Sequence, residues 1–583
     1  MKHPSRSFST VLLAACLASA GILRANVTMP AIFGDHMVLQ RDASVPVWGT
    51  ADPGESVTVT AGGDKATAVT AKDGTWSVKL AKLTASTTPI DVTVAGKNTL
   101  TFHDVLVGDV WLCSGQSNME FGIRAFMPPD EFAKVNEPQI RVFNVPKWVA
   151  PKPEPDIAQG ATRIPTTAPL AGTWQVCNAD TLTKTAEWSG FSAVGFYFGR
   201  EIHNFTNEPV GLIESAYGGT RIHSWTSLDM LQTMPQKVTA AKNAAEFRDH
   251  YDQIKQTYET VTLPAWNATL AKWKVDNKPA LDAYNADMAT WQTAAQSAKA
   301  LHQAPPPRPR APKEPRPPRD PIHDNQASCA LYDGMIAPLI PYALKGTIWY
   351  QGESNSGEPA VYKFELPALI KDWRSHWGQG DFPFLVVQLP NYAAPKLTDG
   401  SSGWAQMREI QAGVASTLPN VGYSVNLDVG EPGNLHPADK LDVGKRLALV
   451  AQHVAYGQTG VYCGPTYKSL AISGKNVSIT FDNVGGGLVI GTPPANYFTD
   501  QHPPKTPPAP ASDLQGFEIA GADGKFLEAK AQINGGSVVV SNDSIMAPVA
   551  VRYAWTDSPT CNLYNKEGLP AAPFRTEMPA ATK

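Results

Sequence analysis

With 583 residues, 43% of them hydrophobic and 17% charged, the chain has the composition of an ordinary globular protein of several domains, which excludes a fibrous or wholly disordered one. A formal net charge of −4 supplies no basic footprint, so nucleic acid is not an expected partner; a neutral polysaccharide or a small ester suits this surface.

Lys2 and Arg6 precede an apolar run from Phe8 to Leu23, with small residues at Ala18, Ala20 and Ala25, the pattern of a secretory signal peptide over residues 1–25. Export to the periplasm or the extracellular space is therefore expected. Leu13-Ala14-Ala15-Cys16 also reads as a bacterial lipoprotein box, the alternative being an outer-membrane lipoprotein anchored through Cys16. No later apolar run is long enough to span a bilayer, so no transmembrane segment is expected in the mature protein. Cys113, Cys177, Cys329, Cys463 and Cys561 follow the leader, an odd number without the close pairing of a zinc site. At most two disulfides can form among them, and their spacing fixes no pairing.

Residues 26–103 read as short strands at Val45 to Trp48, Val57 to Thr60, Thr75 to Leu80 and Ile90 to Val94, separated by Pro53-Gly54, Gly62-Gly63 and Asp73-Gly74. They predict an N-terminal β-sandwich. The apolar run Asp109 to Cys113 then ends abruptly in Ser114-Gly115-Gln116-Ser117-Asn118-Met119. A buried strand that delivers a serine into a tight turn before a helix exposes a hydroxyl above a sheet, which makes Ser117 the first candidate nucleophile.

From residue 104 to 230, and again from 325 to 460, compact strands at Val210 to Ile213, Gly346 to Tyr350, Phe384 to Leu389 and Val421 to Leu427 alternate with helical patterns at Ser192 to Phe205 and Asp439 to Tyr456. This alternation predicts an α/β core with a parallel sheet covered on both faces, whose reactive residues gather at the carboxyl ends of the strands. Residues 231–324 interrupt it with an Ala-, Lys-, Gln- and Glu-rich helical insertion and the tract Pro305-Pro306-Pro307-Arg308-Pro309-Arg310, an extended return. Trp266, Trp273, Tyr284 and Trp291 share one helical face, a sugar platform or, far more commonly, a packing face; Pro279 argues against one unbroken helix. Residues 461–583 return to strands and predict a C-terminal β-rich subdomain.

A serine nucleophile needs a base, and His436, in a loop after a buried strand and before a helix, is the best placed of the twelve histidines. Two glycine-containing loops after strands, Tyr217-Gly218-Gly219-Thr220 and Gln351-Gly352-Glu353-Ser354-Asn355, offer donors for a tetrahedral oxyanion.

These blocks, Trp111 to Met119, Gly218-Gly219-Thr220, Trp349 to Asn355 and His436-Pro437, taken in order, resemble the sialate O-acetylesterase-like families of SGNH (GDSL-type) hydrolases. The likeness extends to Met37-Val38-Leu39-Gln40 and to Val551-Arg552-Tyr553-Ala554-Trp555, and covers nearly the whole mature chain except the insertion. It implies a flavodoxin-like SGNH core flanked by β domains, and a serine esterase that removes acetyl groups from carbohydrate hydroxyls without metal or organic cofactor. Ser117 would be the nucleophile, His436 the general base, the Gly219 amide an oxyanion donor, and Gln351 or Asn355 a side-chain donor. The substrate would be an acetylated hemicellulose such as xylan or xyloglucan, or O-acetyl sialic acid.

The chain departs from the family at the third triad member: the aspartate found three residues before the histidine in the wider superfamily is here Gly433, followed by Asn434. Asp333 is the expected orienting acid, with Asp428 as the second choice. That departure also motivates an alternative of another class, a non-catalytic glycan-binding protein on an esterase scaffold; a lipase acting on longer acyl chains is a third reading. The sequence leaves the oligomeric state open.

Overall fold

The computed structural model describes residues 26–158, 167–301, 303–393, 402–495, 497–498 and 512–576; the expected signal peptide and the alternative lipid anchor at Cys16 lie outside them. Among the described residues, no helix is long and apolar enough to cross a membrane.

The N-terminal part contains β1 (Val38–Gln40), β2 (Val45–Thr50), β3 (Ser56–Ala61), β4 (Asp64–Val69), β5 (Thr75–Leu80) and β6 (Ser86–Ala95). β2 pairs with β5, and β3 pairs with both β4 and β6, all antiparallel. Alternation places Val45 and Val47 of β2, and Trp76, Val78 and Leu80 of β5, in the interior. β4 was not expected, because Asp64–Val69 presents small and polar residues and buries none of them fully.

β7 (Thr99–Gly115) is 17 residues long and belongs to both halves of the molecule. Its first half pairs antiparallel with β6 and its middle parallel with β1, after which it becomes the centre of the core sheet. The boundary expected after residue 103 thus falls inside a continuous strand. The sequence explains the change of partner: Thr99–Asp104 alternates exposed and half-buried residues, whereas Val105–Gly115 is buried throughout, as in a strand covered on both faces.

The core adds β8 (Asn136–Asn144), β9 (Gln175–Asn178), β10 (Val210–Ala216), β11 (Gly346–Tyr350), β12 (Phe384–Val387) and β13 (Val421–Ser424), in the order β13-β12-β11-β7-β10-β8-β9. Every neighbouring pair is parallel except β8 with β9. Counting the parallel strands β7, β8, β10, β11, β12 and β13 as first to sixth gives the order 2-3-1-4-5-6, which opens a crevice at the carboxyl ends of β7 and β11, where the order reverses.

The helices include α1 (Ser117–Glu120), α2 (Ala193–Thr206), α3 (Val238–Asp249), α4 (Leu263–Asp276), α5 (Lys278–Ala300), α6 (Pro359–Trp377), α7 (Gly403–Thr417) and α8 (Lys440–Val454), with shorter helices and turns between them. Trp111 of β7 meets Phe198 of α2 edge-on at 4.9 Å, whereas Trp349 of β11 meets Trp373 of α6 at 5.6 Å. Because Trp349 pairs in register with Ser114, the two tryptophans point to opposite faces, so helices cover the sheet on both sides.

The insertion is helical through α3, α4 and α5, and α4 and α5 part at Asn277, which leaves Pro279 in the first turn of α5 where its missing N–H costs nothing. Of its aromatic stripe, Trp291 packs against the return: its indole N–H donates to Pro306 O at 2.8 Å, and Arg308 of the proline-rich tract lies over the same ring.

After residue 461 the chain forms antiparallel sheets, with Thr466–Ser473, Asn476–Asp482, Lys530–Asn534 and Ser537–Ser541 in one and Phe517–Ala520, Phe526–Glu528, Ala550–Tyr553 and Phe574–Arg575 in another. Their apolar interior continues into Val425 and Leu427 of the core. Arg408 of α7, fully buried, fastens the two parts by donating to the carbonyls of Leu389 and Pro390 on one side and of Thr556 and Asp557 on the other. All five described cysteines are free thiols, and Cys113, Cys177 and Cys329 are buried.

Candidate active site

Gly115 ends β7 at a place no other residue fits: its φ is 142°, and a Cβ would lie 2.1 Å from Tyr350 O at the end of β11. The chain then turns, the Gln116 carbonyl accepts from the amides of Met119 and Glu120, and Ser117 opens α1 half-buried at the top of the sheet. Its Oγ lies 2.9 Å from His436 Nε2, across 319 residues of sequence. Both side chains line a cavity of about 730 Å³, together with Gly219, Glu120, Lys147 and Trp188.

His436 is held from several sides. Its amide donates to Asn434 Oδ1 at 3.0 Å, the preceding carbonyl of Leu435 accepts from Asn118 Nδ2 at 3.1 Å, and Phe121 packs edge-on against the ring at 4.8 Å. Burial, and after it the Lys440 charge, push the imidazole down to about 4. Among the described residues no carboxylate bonds to its Nδ1.

The structure therefore does not bring the expected acids to His436. Asp333 is 1% exposed, bonds Arg248 of the insertion at 3.0 Å and is pushed up to about 7 by burial; Arg248 also donates to Pro151 O. The aspartate anchors the insertion to the core. Asp428 is clamped by both terminal nitrogens of Arg446, at 2.6 and 2.8 Å, and accepts from Tyr564 OH, which ties the C-terminal part to α8. A guanidinium satisfies each carboxylate in place of the imidazole.

The expected oxyanion donors divide. Gly219, in the left-handed region at φ 73°, lines the cavity, and its amide has no acceptor among the described residues. The Gln351 and Asn355 side chains are fully buried and committed elsewhere: Gln351 Nε2 donates to Asn355 Oδ1 and Thr220 O, Asn355 Oδ1 also accepts from the Ile222 amide, and Asn355 Nδ2 donates to Glu358. Both brace the loop that carries Gly219 instead of facing Ser117. Trp225 is buried with its indole N–H on Thr220, and Arg221 pairs with Glu358, so neither reaches the cavity.

Sequence reasoning missed a network beneath the Ser117–His436 pair. Lys440 is fully buried; its ammonium donates to Asn118 Oδ1 at 2.5 Å, and Asn118 Nδ2 in turn donates to Glu353 Oε1 at 2.5 Å. Burial pushes Lys440 down to about 7, the Glu353 charge opposes that shift, and burial raises Glu353. One asparagine thus spaces two buried charges and holds the backbone next to His436. An asparagine directly after the serine and a lysine four places after the histidine were the only clues.

The sequence model of one family, carbohydrate esterase, sialic acid-specific acetylesterase, matches residues 107–255 and 323–452, on either side of most of the insertion. Sialate O-acetylesterase of Mus musculus is 29% identical over 99% of this chain and 99% of its own length, and that of Homo sapiens is 27% identical over 95% and 93%. The crystal structure of a carbohydrate acetylesterase from Xanthomonas citri superposes with a TM-score of 0.69 at 32% identity, covering 95% of this chain and all of the other.

Proposed function

From the premise that the chain belongs to the sialic acid-specific acetylesterase family of carbohydrate esterases and is a carbohydrate O-acetylesterase, we propose that it works as a serine esterase through an acetyl-enzyme. The observation that carries this reading is the 2.9 Å approach of Ser117 Oγ to His436 Nε2 at the floor of an open cavity. His436 takes the hydroxyl proton, Ser117 attacks the acetyl carbonyl, and the Gly219 amide receives the oxyanion. The sugar alcohol leaves with the proton returned by His436, and water, activated by the same imidazole, releases acetate. A parallel sheet with helices on both faces and Ser117 at the carboxyl end of its central strand supports an SGNH-type core, divided by the insertion into residues 104–230 and 325–460. Export through the leader would give it acetylated hemicellulose, such as xylan or xyloglucan, or O-acetyl sialic acid as substrates.

Incubation with a fluorophosphonate followed by peptide mass spectrometry is expected to find the label on Ser117 alone and to abolish acetate release from acetylated xylan. A label on Ser354, the other serine of the cavity, or activity surviving full labelling of Ser117, would overturn the assignment.

The base carries a pH signature. A histidine must be neutral to accept the proton, and this one, lowered to about 4, is neutral at every pH above that value. The acid limb of kcat/KM should therefore fall near pH 4, not near the ordinary imidazole value of about 6.5. A limb at or above pH 6, measured at constant ionic strength, would contradict that lowered value.

A further inference from the structure

Trp188 is the one large aromatic side chain that the cavity wall leaves open to solvent: it is 62% exposed and lines the same space as Ser117 and His436. Its backbone is strained. Trp188 has φ 52° and Ser189 φ 78°, both in the left-handed region, and Gly190 follows at φ 94°. Bulky residues adopt this region rarely, and such strain persists where the surroundings impose it, commonly at ligand clamps. The surroundings here are explicit. The amides of Gly122 and Arg124 donate to the carbonyls of Trp188 and Ser189 at 3.0 and 3.2 Å, and a Cβ on Gly122 would lie 2.3 Å from the Gly190 carbonyl oxygen. The turn is thus pinned against the segment that follows the nucleophile, and the indole is held out ready-made. Phe121 bridges the platform to the chemistry, touching Trp188 edge-on at 6.2 Å and His436 at 4.8 Å.

The charge on the same wall narrows what the platform can take. Among the described residues Lys147 is the only lysine or arginine lining the cavity, and it is engaged by Glu120 and by Glu187, the latter at 2.8 Å, with its ammonium 4.9 Å from the centre of the Tyr217 ring. Glu120, Glu187 and Glu353 all line the cavity, three carboxylates to one ammonium. A carboxylate on the substrate would have to displace one of the Lys147 partners and approach the others. An uncharged ring meets neither cost, since its hydroxyls can bond the Glu187–Lys147 pair as it stands.

Building on the serine-esterase reading, we propose that Trp188 is the specificity-determining platform for the sugar leaving group, and that this group is an uncharged pyranose, not a sialic acid. The apolar face of the ring stacks on the indole, and its hydroxyls meet the Glu187–Lys147 pair.

The test uses three esters: an acetylated xylo-oligosaccharide, O-acetylated N-acetylneuraminic acid, and methyl acetate, which carries no ring. The wild type should favour the oligosaccharide over the sialic acid by about tenfold or more in kcat/KM. Trp188→Ala should raise KM for the oligosaccharide about tenfold, the size of one lost aromatic contact, with kcat nearly unchanged. Trp188→Phe should recover part of the loss, and methyl acetate should be turned over equally by all three proteins. An unchanged oligosaccharide KM in Trp188→Ala, an equal loss on methyl acetate, or a wild type that favours the sialic acid would each overturn the proposal. Turnover of all three esters by Ser117→Ala would instead overturn the reading beneath it, and is distinguishable because it ignores the sugar.

Discussion

Ser117→Ala should reduce acetate release by about four orders of magnitude or more, the loss typical of removing a covalent nucleophile, while leaving the protein folded. The residual rate would come from the Gly219 amide and from substrate binding, which the substitution does not touch. Folding should survive for local reasons. Among the described residues Ser117 bonds only His436 through its side chain, alanine is at least as good in the first turn of α1, and the interactions that shape the turn belong to other residues. These are the Gln116 carbonyl with its two amides and the Asn118 amide group with Leu435 and Glu353. Acetate release and thermal melting measured on one preparation check both halves of the expectation. Retention of more than a few per cent of the rate would place the nucleophile elsewhere.

Arg408→Ala should have the largest effect on stability, about 3–5 kcal/mol on the junction between the core and the C-terminal part. The guanidinium is wholly buried and bonds no carboxylate among the described residues; it spends its donors on the carbonyls of Leu389, Pro390, Thr556 and Asp557 and on Asn391 Oδ1. Alanine leaves a void and strips those acceptors of their donors at once. Arg408→Lys should rescue little, because a single ammonium cannot reproduce a planar fork of five N–H groups. Chemical denaturation followed by limited proteolysis is the suitable measurement: early cleavage after residue 460 is the expected result, and a melting curve unshifted from wild type would contradict it.

The sequence was most legible where one physical signal dominated. β11 was expected over its full length because Gly346–Tyr350 is a short apolar run between turn residues, and α2 and α8 fell within two residues because their apolar spacing is strongly helical. Ser117 stood out because it follows the end of β7, and His436 because it lies in a loop before α8; the structure sets their side chains 2.9 Å apart. The orienting acid was misread because sequence shows which carboxylates exist but not which cation reaches them first. Asp333 is taken by Arg248 from 85 residues away, and Asp428 by Arg446. Gln351 and Asn355 were misjudged for a related reason: an amide in a glycine-rich loop can face the ligand or brace its neighbour, and here Thr220, Ile222 and Glu358 had the stronger claim. Trp188 was passed over although Glu187-Trp188-Ser189-Gly190 sets a large ring in a polar turn, a combination that solvent exposure alone does not favour.

A strand shared by two sheets leaves no hinge between them. From Leu106, paired with Val38 of β1, to Gly115 at the rim of the cavity, β7 never leaves extended pairing, so the N-terminal part has a fixed bearing on the hydroxyl at Ser117. Parity follows from this. Adding or deleting a single residue within Val105–Leu112 would exchange the side chains facing α2 with those facing α6, whereas a change of two would preserve them. Any splice made within this part of β7 therefore has to change its length by an even number of residues, a constraint that a flexible linker would never impose.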